Sequence, residues 1–194
     1  MIFQNSENSQ IEKITNLNQL LKLLPQCTGQ EYVEVTQGME LDDKDFEPYA
    51  FWKQGDYTRN CIDRSPNYEL ILLCWEEGVE TPIHCHNGEE CWVYGVGGTL
   101  EETRFDFNTN ETDIEEGAKE MIYANSLSYM NDNMGYHKIA NLGQGRAMTL
   151  HLYINPIEEC QVWVENEKSF IKKELAYDTF KGEIRKDLEE KLSR

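Results

Sequence analysis

The amino-acid sequence predicts a mainly β protein, a sandwich or barrel of short strands with helices towards its two ends. Three features predict it. Between about residues 56 and 165, short runs of β-branched and aromatic residues alternate with separators rich in Gly, Asn and Asp, the pattern of strands joined by turns rather than of strand–helix repeats. Apolar residues at helical spacing gather before residue 25 and after residue 171. No internal repeat or low-complexity tract intervenes, and 194 residues suit one domain that buries a core without disulfides.

The elements follow in order. Residues 1–10 are polar and are expected to be flexible. Ile11, Ile14, Leu17, Leu20, Leu21 and Leu24 share one helical face, on one helix or two short ones because Asn16 and Asn18 weaken the middle, and Pro25 ends it. Another short helix is expected around Asp42–Tyr49. Strands are expected at YELILLCW (68–75), CWVYGV (91–96), LEETRFDF (100–107), KEMIYA (119–124), HKIAN (137–141), AMTLHLYI (147–154) and CQVWV (160–164). In the charged segment Lys172–Arg194, the spacing of Leu175, Phe180, Ile184, Leu188 and Leu192 predicts a C-terminal helix. The chain thus divides into residues 1–10, a helical segment 11–55, a β core 56–170 and an extension 171–194, all within a single domain.

Charge excludes some partners. With 36 acidic and 18 basic side chains the net charge is −18, which repels nucleic acid and anionic membranes. No apolar run is long enough to span a membrane and the N-terminus lacks a signal-peptide pattern, so a cytoplasmic location is expected. The six cysteines include no CxxC pair, which argues for reduced thiols and against a zinc ribbon. A monomer is expected.

Chemistry concentrates around four histidines. His84 and His86 stand two apart, so on extended backbone both imidazoles face one side. His137 follows a turn and opens a strand that can cross the barrel. Three neutral imidazoles in a facial set leave coordination positions open, as a catalytic metal needs. A lone histidine is more often a surface residue or a satisfied core residue; this spacing favours the metal. In AMTLHLYI, Thr149, His151 and Tyr153 alternate onto one face, where a hydroxyl–imidazole–phenol relay would fix tautomer and orientation.

The stretches YTRN, LCWEEG, IHCHNGEECW, LEET, YHKIAN and TLHLY, in this order from Tyr57 to Cys160, resemble the cysteine dioxygenase type I family. The resemblance implies a cupin-type jelly-roll β-barrel with mononuclear non-haem iron, Fe(2+), held by His84, His86 and His137. It implies a thioether between Cys91 and Tyr153, a relay of Thr149, His151 and Tyr153, and Arg59 with Tyr57 beside it for the substrate carboxylate. The implied reaction takes L-cysteine and O2 to cysteine sulfinic acid, a step of cysteine catabolism and taurine synthesis. Many metal-binding cupins add a Glu ligand soon after HxH. Here Glu89 and Glu90 lie nearby, but a three-His site leaves the metal a net +2, which favours a substrate bound as thiolate.

One departure concerns the backbone after Tyr153, where Ile154-Asn155-Pro156 replaces the family's Ser-Pro-Pro, so the family's cis proline bond is not expected there. Cys85 is expected to face away from the metal. Trp75, Trp92, Cys27, Cys61 and Cys74 are read as core, and family position puts Cys160 near the pocket entrance. The competing readings are oxidation of 3-mercaptopropionate or cysteamine, a non-catalytic metal-binding cupin, and a zinc hydrolase or isomerase; the last lacks a well-placed general base.

Overall fold

The computed structural model describes residues 12–107 and 113–185. The N-terminal part holds α1 (Leu17–Leu23) and α2 (Gln30–Gln37). Asn16 caps α1 by accepting the Gln19 N–H, satisfying a free first-turn donor. The helix starts later than its apolar spacing implies because Ile14 instead bridges Met39; Ile11 lies outside the described residues. A 3-10 helix occupies Asp43–Tyr49, where a short helix is expected, whereas α2 has no counterpart in the sequence reading.

Twelve strands follow among the described residues: β1 (Tyr57–Arg64), β2 (Tyr68–Trp75), β3 (Glu90–Gly97), β4 (Leu100–Phe107), β5 (Ile114–Ile122), β6 (Leu127–Met130), β7 (Tyr136–Ala140), β8 (Ala147–Ile154), β9 (Glu159–Val164), β10 (Ser169–Glu174), β11 (Thr179–Phe180) and β12 (Glu183–Ile184). The larger sheet runs β12-β11-β1-β2-β8-β3-β6. Opposite it lie β5-β4-β7 and β10-β9. Backbone bonds from the segment around His84 join these two: His84 exchanges both bonds with His137 (2.9 and 3.0 Å), and the Cys85 N–H reaches Gln161 O (3.2 Å). This is the jelly-roll arrangement of a cupin.

Period-2 alternation then sorts side chains to two cores. Leu70, Leu72 and Cys74 of β2, with Leu150 and Leu152 of β8, pack under the N-terminal helices. Ile71, Leu73 and Trp75 point the other way, into the space between the sheets. Burial on both faces explains why the β2 sequence is one unbroken apolar run. The same parity turns Thr149, His151 and Tyr153 inwards from β8.

The expected C-terminal helix does not form over residues 172–185. Lys172–Glu174 continue β10 against β9, and Phe180 pairs with Cys61 of β1. Lys181 and Gly182 both have positive φ, 53° and 83°, and close a two-residue hairpin. Helical spacing of Leu175, Phe180 and Ile184 loses here to pairing with two preformed strand edges; Leu188 and Leu192 lie outside the described residues. The boundary placed at residues 170 and 171 falls inside β10.

Candidate active site

The segment around His84 is extended and paired on both sides, though not a regular strand. His84 and His86 therefore face the same way and meet His137 of β7. One nitrogen from each of the three lies within 4.8 Å of the others. Each ring's other nitrogen decides its tautomer. His84 Nδ1–H donates to Pro82 O at 2.9 Å, and His137 Nδ1–H donates to Glu102 Oε1 at 2.6 Å. Both are left with Nε2 lone pairs for a metal. His137 Nε2 stands 3.1 Å from His86 Nε2, and His86 Nδ1 is buried without a partner. Burial pulls the His84 pKa down to about 4. It holds His86 and His137 well below their ordinary value, with the charges of neighbouring imidazoles adding to the effect. Three neutral, converging imidazoles, one with an unsatisfied ring nitrogen, fit a divalent first-row metal ion.

Glu102 and Asp132 hold this set in place, and sequence reading singled out neither. Glu102 is almost fully buried and accepts from Ser128 Oγ (2.5 Å) and Arg104 Nη2 (3.3 Å) as well as from His137. Asp132 accepts the N–H groups of His86 (2.8 Å) and Gly88 (2.6 Å), fixing the loop that carries the second ligand. Both sit in stretches that look like solvent-facing turn and strand. Glu102→Gln is expected to weaken metal binding about tenfold, read by competition with a chromophoric chelator, since such supporting partners typically contribute 10–100-fold. An unchanged affinity would remove Glu102 from this role.

The larger sheet supplies the facing wall. Arg59, Tyr57, His151 and Tyr153 line one pocket with His84. Arg59 Nε and Nη2 are buried with no hydrogen-bond partner, and its one ion pair, to Glu69, is 3.9 Å long. Burial alone would lower the Arg59 pKa; the facing oxygens of Tyr153 and Glu69 outweigh it and the net shift is upward, so the guanidinium stays charged. Tyr57 stacks on Trp75 at 5.1 Å between ring centroids. Cys91 of β3 and Tyr153 of β8 are register partners on one face, which brings their side chains together. Burial pushes both the Cys91 thiol and the Tyr153 phenol up, so both are protonated near neutrality.

The chain matches the family model for cysteine dioxygenase type I over residues 3–166. The chain belongs to the cysteine dioxygenase type I family. It is a thiol dioxygenase with a three-histidine metal site. Cysteine dioxygenase type 1 of Homo sapiens is 30% identical over 168 residues, covering 81% of this chain and 83% of that protein. The Danio rerio protein of the same name is 28% identical over 167 residues with the same coverages. Among solved structures, a Thermus thermophilus protein aligns with TM-score 0.48 and 14% identity over 57% of this chain and 94% of its own. A double-stranded β-helix protein from Klebsiella pneumoniae aligns at 0.46 and 14%, over 55% and 79%.

One detail of this cysteine dioxygenase family member adds to its expected structure and one corrects it. Trp75 is core, as expected, and also donates its indole N–H to Thr149 Oγ1 (2.9 Å), while Thr149 in turn meets His151 Nε2 at 2.9 Å. With the indole occupying a Thr149 lone pair, the hydroxyl proton is free for His151, whose own proton then sits on Nδ1. The expected bond from His151 on to the phenol is absent. Those two rings stand 6.2 Å apart, and His151 Nδ1 lies 4.0 Å from Cys91 Sγ instead. After Tyr153 no cis bond occurs among the described residues; Asn155 takes φ 63°, a conformation asparagine tolerates, and bonds Asn67 O and Glu89. Cys85 faces a separate surface pocket, away from the metal ligands, and Cys160 lines the active-site pocket. Among the described residues no helix is long and apolar enough to cross a membrane.

Proposed function

We propose that this dioxygenase adds both atoms of O2 to the sulfur of free L-cysteine, giving cysteine sulfinic acid. The single observation that carries this reading is the Arg59 guanidinium. It is buried, charged and unpartnered at Nε and Nη2, in the pocket that also contains His84. A buried cation with free paired donors is a carboxylate site. Cysteine's thiol can then reach the three imidazoles while its carboxylate rests on Arg59. The thiol sulfur loses four electrons and dioxygen gains four, so RSH and O2 give RSO2H with no other reactant.

Ferrous iron bound by His84, His86 and His137 would supply a ligand position for thiolate and the redox chemistry that dioxygen needs. The chain's own residues bind and orient. Arg59 anchors the carboxylate, and Leu73, Ile139 and Ile157 keep the pocket dry. The Tyr153 phenol keeps its proton beside the reacting sulfur, and Trp75, Thr149 and His151 fix the wall behind it. Cys91 and Tyr153, register partners on paired strands, join as a thioether, each losing one hydrogen to dioxygen, which leaves as hydrogen peroxide. Intact mass under denaturing, reducing conditions is expected to show a fraction of the purified protein lighter by about two hydrogens and resistant to reduction, unlike an S–S bond. A Cys91→Ser variant should lack that fraction.

Oxygen uptake by iron-loaded protein with L-cysteine, 3-mercaptopropionate and cysteamine tests the substrate. Cysteine should be fastest and cysteamine, which has no carboxylate, the slowest. One observation favours a second reading. Lys173 also lines the pocket, and a second cation suits a thiol of net negative charge such as 3-mercaptopropionate. Faster turnover of that compound would replace cysteine as the assigned substrate.

A further inference from the structure

Arg59 poses a physical problem that the family reaction alone does not address. A buried arginine beside a buried carboxylate normally closes into a bidentate pair. Here Glu69, fully buried on the inward face of β2, stops 3.9 Å from Arg59 Nη2. That is too long for a hydrogen bond. Both Glu69 oxygens are held elsewhere. Oε1 accepts the Tyr177 hydroxyl, and Oε2 accepts the Ile157 N–H at 3.0 Å. Arg64 Nη1 donates to the Tyr177 oxygen at 3.1 Å, which leaves the Tyr177 proton committed to Glu69. Asp178, the next residue, clasps the Arg59 main chain with two bonds of 2.8 Å, one in each direction. The segment after β10 thus holds Arg59 by its backbone and restrains its counter-ion from behind.

We propose that Tyr177 is a positioning residue that keeps the Glu69 carboxylate off the Arg59 guanidinium, so that Nε and Nη2 stay free for the substrate's carboxylate. The proposal rests on the carboxylate-binding role of Arg59 given above. In Tyr177→Phe, Glu69 loses the donor on Oε1, and a movement of roughly 1 Å closes its pair with Arg59. The substrate's carboxylate must then compete with an internal one. A thiol without a carboxylate does not need those donors and is unaffected.

The test is a cycle of Tyr177→Phe, Glu69→Gln and the double variant, in the iron-loaded full chain. Tyr177→Phe should raise KM for L-cysteine about tenfold with kcat changed much less, and should leave KM for cysteamine within about twofold. In the Glu69→Gln background, where no carboxylate remains to close, Tyr177→Phe should have no effect on KM. An equal rise in both backgrounds, or an equal rise for both thiols, would overturn the proposal in favour of a plain packing role. A second readout needs no turnover. In the zinc-loaded full chain, the Arg59 Nε–H resonance, identified by its loss in Arg59→Lys, should shift downfield and exchange more slowly in Tyr177→Phe. It should not do so in the double variant. No movement in Tyr177→Phe would sink the proposal even if every thiol were turned over. Absence of oxygen uptake with cysteine by the wild type would instead sink the function reading, with the resonance still deciding this one.

Discussion

His86→Ala is expected to abolish iron binding and oxygen uptake together. Removing partners that merely support a metal ligand already weakens affinity 10–100-fold, so deletion of one of three ligands should exceed about 100-fold. The fold should survive. His86 Nδ1 is buried without a partner, so the ring is a burden on the metal-free chain. Losing that unsatisfied group offsets part of the cavity left by the imidazole, and the net change in stability should stay within about 2 kcal/mol. The measurement pairs iron content after dialysis with melting curves recorded with and without ferrous ion. Wild type should be stabilised by the metal and the variant should not. Retention of iron by the variant would mean that the three histidines are not the binding set.

Arg59→Ala should have the next largest effect, and on a different quantity. A charged, bidentate contact in a dry pocket contributes about 2–3 kcal/mol, roughly a 30–150-fold rise in the apparent KM for cysteine. Iron content should not change, because Arg59 is not one of the three ligands and its Nε and Nη2 hydrogen-bond none of them. Cysteamine turnover should also hold, since it offers nothing for the guanidinium to grip. An unchanged cysteine KM would take Arg59 out of the substrate site.

The legibility of the chain varies with the physics of each part. YELILLCW reads as a strand because β2 is buried on both faces and needs apolar residues throughout. YTRNCIDR, the strand carrying Arg59, does not. Its outward Thr58 and Asn60 are fully buried yet polar, bonded to each other at 2.9 Å and, through Asn60, to Thr179 at 3.0 Å. Nothing in local sequence announces those partners. The three metal ligands stood out because the chain has only four histidines and two of them are two residues apart. Glu102 and Asp132 stayed hidden because a charged residue in a polar stretch normally faces water. The C-terminal strands were misread because partners more than a hundred residues away, such as Asn60 for Thr179, decide their conformation.

The two sides of the site grow from different sheets. The metal ligands come from β7 and the segment before β3, while Arg59 and Tyr153 come from β1 and β8. Facing sheets sit about 10 Å apart, a spacing set by the side chains packed between them. For the substrate proposed above, the inter-sheet core is therefore a caliper: it sets the distance from sulfur to carboxylate that the molecule must span. Leu100 and Val93 belong to that core but not to the pocket. Changing their bulk resets the jaws without touching any group that grips, and the length of thiol acid the enzyme prefers should move with them.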